Sequence, residues 1–124
     1  MYDKKYRLRY LPLFYEDLDE KITYIAEKLK NPKAASDLLD KVEKALLDRL
    51  PVAESFEPYH SIRERKYAYY RIYVDNFIIY YVVIDDDEVS PNMEVRRFLY
   101  NRQDQRRLVY GMMNELRGMR HGMI

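Results

Sequence analysis

The sequence predicts an α+β fold: a hairpin of two helices packed on one face of a small, mostly antiparallel sheet, in the order β-α-α-β-β-β-α. Three observations predict it. Apolar residues recur at helical spacing through residues 13–50, interrupted once at Asn31-Pro32. Three runs rich in β-branched and aromatic residues follow between Tyr67 and Tyr100, divided by turn residues. A short alternating segment, Tyr6–Tyr10, precedes them all.

In the first segment Tyr6, Leu8 and Tyr10 fall on one face and Arg7 and Arg9 on the other, and Pro12 ends the strand. Phe14, Leu18, Ile22, Ile25 and Leu29 then form one face of a helix, with Glu16, Asp17, Asp19, Glu20, Glu27 and Lys28 on the wet face. Asn31 can cap a second helix and Pro32 is its favoured first residue. Ala35, Leu38, Val42, Ala45, Leu46 and Leu50 give that helix its apolar stripe, and Pro51 follows its end. So tight a joint makes the two helices an antiparallel hairpin.

Residues 51–66 read as an irregular loop with Pro51, Pro58, His60 and Ser61. In the strand Tyr67–Val74, alternation sends Ala68, Tyr70, Ile72 and Val74 to the core and Tyr67, Tyr69, Arg71 and Tyr73 to the other face. Asp75-Asn76 suits a tight hairpin turn. Phe77–Ile84 is apolar on both faces and reads as a central strand. The run Asp85–Glu88 lacks the spaced ligands and glycine of a calcium loop, so it opens a solvated turn that ends near Asn92. Met93–Tyr100 is the last strand. A helix is expected over 103–117, carrying Leu108, Val109, Met112, Met113 and Leu116 at helical spacing, and 118–124 reads as a flexible tail.

The length, 124 residues, suits one domain spanning 1–124. With 48% hydrophobic and 35% charged residues the chain has a globular balance. It contains no cysteine, which excludes disulfides and thiolate metal sites and fits a reducing cytoplasm. The longest apolar run, Phe77–Ile84, falls far short of the ~20 residues of a membrane span. No apolar run follows Met1–Lys5, so the reading has no signal peptide and no membrane contact. Net charge is only +1, too small to attract nucleic acid by overall field. Residue type is more telling: 63–124 carries ten Arg and one Lys, with more than half of the tyrosines. Arg and aromatic planes suit phosphates and bases, although solubility and sheet stacking explain the same composition.

Three strings add a resemblance. They are Leu29-Lys30-Asn31-Pro32 at the helix joint, the basic stretch from Arg63 through Lys66 into Tyr73, and Glu94-Val95-Arg96-Arg97-Phe98-Leu99-Tyr100-Asn101-Arg102-Gln103-Asp104. In that order, the chain resembles the RelE/ParE superfamily of toxins from type II toxin–antitoxin pairs, which includes plasmid stabilisation proteins. The resemblance implies a toxin that a cognate antitoxin neutralises and that stops growth when free, or, as a further alternative, a module that keeps the fold and the antitoxin contact without toxicity. ParE-like members inhibit DNA gyrase by binding; RelE-like members are endoribonucleases that cut mRNA in the ribosomal A site. Neither mode implies a cofactor or a metal.

For the nuclease, the resemblance places Lys66 or Arg71 near the phosphate, Arg97 and Arg102 as charge stabilisers and Tyr100 as proton donor. Arg63, Arg65 and Lys66, with Tyr69 and Tyr73, are the expected target- or nucleic-acid-binding surface. His60, just upstream, reads as a loop hydrogen-bonder rather than an acid or base. The sequence departs from the RelE-like pattern at two places. Tyr73 stands where a basic residue is expected two positions after Arg71, and Leu99-Tyr100-Asn101-Arg102 replaces a glycine-basic-arginine step. Both departures favour the ParE-like mode.

Overall fold

The computed structural model describes residues 5–58, 66–85 and 90–101. Four strands form one sheet in the order β1-β4-β3-β2: β1 is Arg7–Tyr10, β2 Tyr70–Val74, β3 Phe77–Ile84 and β4 Asn92–Tyr100. Between β1 and β2 lie α1, Pro12–Thr23, and α2, Pro32–Arg49. β3 pairs antiparallel with β2 and β4, whereas β1 runs parallel to β4, from Arg7↔Asn92 to Tyr10↔Val95. The doubly apolar strand is thus interior, as its composition demands. β2 starts three residues later than expected, with Tyr69 making only an isolated bridge. The expected helix over 103–117 and tail over 118–124 lie outside the described residues.

Both helices lie on one face of the sheet, here the inner face. Phe14 from α1 and Leu38, Val42 and Leu46 from α2 meet Ile72, Val74, Phe77, Ile79, Tyr81, Met93, Val95 and Phe98 in one buried cluster. Each such side chain stabilises the fold by roughly 1.5–3 kcal/mol through removal from water. The stripe expected for α2 is the one buried: Ala35, Leu38, Val42 and Leu46 are covered and Ala45 and Leu50 are partly so. Asn31 caps this helix, its Oδ1 accepting from the Ala34 N–H at 3.0 Å. At the β2–β3 turn Asp75 takes φ 52°, a left-handed conformation that Asp tolerates better than most residues.

Two expectations for the first helix are corrected. After Thr23 the chain widens into a π-helical segment, Tyr24–Lys28, closed by Leu29 N–H on the Tyr24 carbonyl (3.1 Å) and Asn31 N–H on the Ile25 carbonyl (3.1 Å). A wider turn breaks the 3.6-residue register, so Leu29 leaves the apolar stripe and is 57% exposed. Asp17, expected on the wet face, is buried instead.

Candidate functional site

The burial of Asp17 follows from where β1 stops. The parallel ladder ends at Tyr10↔Val95, and α1 then covers the edge of β4. A carboxylate on that helix takes the place of a strand: Asp17 Oδ2 accepts from the Phe98 backbone N–H at 3.0 Å. The same carboxylate receives Arg97 through Nε at 2.7 Å and Nη2 at 3.0 Å, a two-pronged pair. Burial pushes the Asp17 carboxyl up, but the hydrogen bonds from Arg97 and Phe98 outweigh it and hold it below its ordinary value. The bond to Asp17 likewise raises Arg97. Arg97, expected to stabilise charge at a phosphate, is therefore committed to a carboxylate, although its side chain stays 40% exposed.

A bulge sits beside this pair. Tyr80 faces Arg97 while Tyr81 faces Val95, so Arg96 is an extra residue in β4. Arg96 donates from Nε to Glu94 Oε2 at 2.9 Å and from Nη1 to the Tyr69 hydroxyl at 3.2 Å. Glu94, buried on the outer face, also accepts from Arg9 at 2.8 Å and 3.2 Å. One carboxylate thus holds two arginines together.

The expected site residues do not form one constellation. Arg71 pairs across β3 with Tyr80, and Tyr73 with Ile78, which places both on the outer face. The Arg71 guanidinium lies 5.7 Å from the Tyr73 ring, and Tyr69 meets Tyr80 edge-on at 6.3 Å. Tyr100 is on the inner face, its ring 4.9 Å from Phe77 and 5.6 Å from Lys21 Nζ. Burial, then Tyr24 and Glu20, raises its hydroxyl and keeps it protonated. Arg71 and Tyr100 thus face opposite sides of the sheet. Lys66 is exposed ahead of β2, with Nζ 5.3 Å from the Tyr67 ring. Arg63, Arg65, Arg102 and His60 lie outside the described residues. Sequence reasoning missed Asp17, Glu94 and Arg9. A lone acid on a helix face and one within an apolar strand carry no signal until the strand register is known.

A second feature lies between the helices. Tyr10, Phe14, Tyr15, Leu18, Leu39 and Leu46 line an apolar groove of about 310 Å³, and Asp40 and Glu43 stand along it. Tyr15 and Leu39 are 54% and 41% exposed, which leaves apolar surface open along the groove. The Tyr10 hydroxyl is pushed up by burial, then by Tyr15 and Glu43. Among the described residues no group of three His, Cys, Asp or Glu is placed to hold a metal. No described helix is long and apolar enough to cross a membrane.

Comparison with known families agrees with the fold. Residues 8–104 match the ParE toxin of the type II toxin–antitoxin system parDE. No curated protein matches the chain. The match begins inside β1 and runs through the whole of β4, so it takes in the helix hairpin, the sheet and the Asp17–Arg97 corner alike. The chain belongs to the family of ParE toxins of type II toxin–antitoxin systems.

Proposed function

We propose that the protein stops growth in the cytoplasm by binding DNA gyrase, without chemistry of its own, and that its antitoxin neutralises it. The observation that carries this reading is the state of the candidate catalytic groups. Arg97 is bound to Asp17, and Tyr100 faces the inner side of the sheet while Arg71 faces the outer. In-line cleavage needs an acid, a base and charge stabilisation around one phosphate. The antitoxin's seat in this reading is the groove between α1 and α2, where an amphipathic helix would cover Tyr15 and Leu39 and set basic residues against Asp40 and Glu43.

The RelE-like alternative rests on the outer face, where Tyr69, Arg71 and Tyr73 alternate in the manner of a base-stacking platform. Conservative variants separate the two. A binder with Tyr100→Phe still arrests growth, because no proton leaves that hydroxyl. A nuclease that uses Tyr100 as its acid loses cutting by about 10²-fold or more while keeping its ribosome affinity.

A further inference from the structure

A hydrogen-bonded chain of four side chains crosses the outer face of the sheet. Strand pairing sets Arg9 of β1 beside Glu94 of β4, and Glu94 beside Val82 of β3. Continued by one residue, the β2–β3 register sets Tyr69 beside Val82. Glu94 Oε1 accepts from Arg9 Nε and Nη2, and its Oε2 from Arg96 Nε. Arg96 then reaches over β3, donating from Nη1 to the Tyr69 hydroxyl at 3.2 Å. Two cations share one anion in this chain, which leaves one net positive charge. Arg9 Nη1 and Arg96 Nη2 donate to nothing among the described residues. The Arg9 side chain is 49% exposed and that of Arg96 26%.

We propose that Arg9 and Arg96 form a phosphate-binding site for a single strand of nucleic acid, and that Glu94 and Tyr69 are the residues that position them. A guanidinium fork suits a phosphate, and one already fixed by a carboxylate or a phenol loses little freedom on binding. The surroundings select the ligand. Arg7 and Arg71 share the outer face. With Arg97 neutralised by Asp17, the described strands set four arginines there against one carboxylate, Glu94. Tyr69, Tyr73 and Tyr80 lie among them. An acidic protein segment would answer the charge and leave the rings unused. A nucleic acid strand uses both, its phosphates on the guanidinium groups and its bases on the rings. Binding at this site breaks no bond, so it needs neither the acid nor the base of the nuclease reading, and it holds whether or not gyrase is the target.

The test is fluorescence anisotropy of a labelled single-stranded oligonucleotide of about 12 nucleotides, titrated with the purified full-length protein over a range of salt. Arg9→Gln and Arg96→Gln should each weaken binding about tenfold, the loss of a hydrogen bond to a charged group. Each should also lower the slope of log affinity against log salt by about 0.7, the share of one phosphate on a single strand. Glu94→Gln separates a built site from simple attraction by charge. It adds a net positive charge, so attraction alone would tighten binding. Its amide oxygen can serve only one of the two arginines, so a positioned site binds more weakly, by about threefold or more. Tyr69→Phe frees Arg96 without changing the charge and should weaken binding in the same direction. Urea unfolding of each variant accompanies the titrations. Arg9 is half exposed on an edge strand, so Arg9→Gln carries the test even where Glu94→Gln fails to fold. No binding by the wild type, binding indifferent to Arg9 and Arg96, or tighter binding by folded Glu94→Gln would overturn the proposal.

Discussion

Replacing Asp17 removes the group that ties α1 to β4, and the structure gives the size of the effect. Its carboxylate receives the Phe98 N–H and both prongs of Arg97. Asp17→Ala leaves the Phe98 N–H without its acceptor, and a lost bond to a charged acceptor costs about 1.5–3 kcal/mol. Arg97 is 40% exposed and can turn to water, so its share is nearer the ~1 kcal/mol of an accessible pair than the cost of a stranded buried charge. Together these give about 3 kcal/mol. Asp17→Asn keeps one acceptor oxygen for Phe98 and should cost less, about 1–2 kcal/mol. The pH dependence has a definite sign. A carboxyl held below its ordinary value contributes stability that is present above the unfolded value, near pH 4, and lost as pH falls through the folded one. Urea unfolding at pH 7 and pH 3 should therefore show the gap between the wild type and Asp17→Asn closing in acid. A cost below about 0.5 kcal/mol for Asp17→Ala at pH 7, the size of an ordinary surface change, would show that Asp17 does not tie α1 to β4. So would a gap that persists undiminished at pH 3.

Three further outcomes are expected. Asn31→Ala removes the acceptor for the Ala34 N–H and should cost about 1 kcal/mol in urea unfolding. Tyr81→Phe strips the Ala53 carbonyl of its 2.6 Å donor and Arg49 of its 2.8 Å acceptor, costing about 1–2 kcal/mol. Burial raises the Tyr81 hydroxyl despite Arg49, so the wild type should lose this contribution as pH rises above about 10, and the variant should show less alkaline loss. Leu39→Glu places a third carboxylate in the groove beside Asp40 and Glu43; it should weaken antitoxin binding by about 2 kcal/mol or more in calorimetry, with unfolding changed by no more than about 0.5 kcal/mol.

The fold was legible because each element carries its own period. The stripe from Ala35 to Leu50 gave α2, with Asn31-Pro32 marking its start, and the doubly apolar run Phe77–Ile84 matched β3 residue for residue. Local pattern failed where tertiary contacts decide. The π-helical segment that frees Leu29 depends on how the chain turns into Asn31, and 3.6-residue counting cannot anticipate a widened turn. Asp17 looked like any solvated helix acid; only the early end of β1 gives it a role. The candidate site was half legible. Alternation correctly grouped Arg71 with Tyr73 on one face, but the bulge at Arg96 re-aims the end of β4, and strand pairing is needed to see that Tyr100 faces the core. The groove between the helices was not foreseen, because Tyr15 and Leu39 belong to neither apolar stripe.

Gyrase binding, the proposed mode of action of this ParE-family toxin, can be tested in a single assay. The most direct measurement is supercoiling of relaxed plasmid by purified gyrase, with the toxin titrated in and the antitoxin added back. A gyrase-binding toxin gives inhibition that grows with toxin, is reversed by antitoxin and is unaffected by Tyr100→Phe. Undiminished supercoiling by a folded protein that arrests growth, together with cleavage of mRNA on ribosomes with an empty A site, would contradict it.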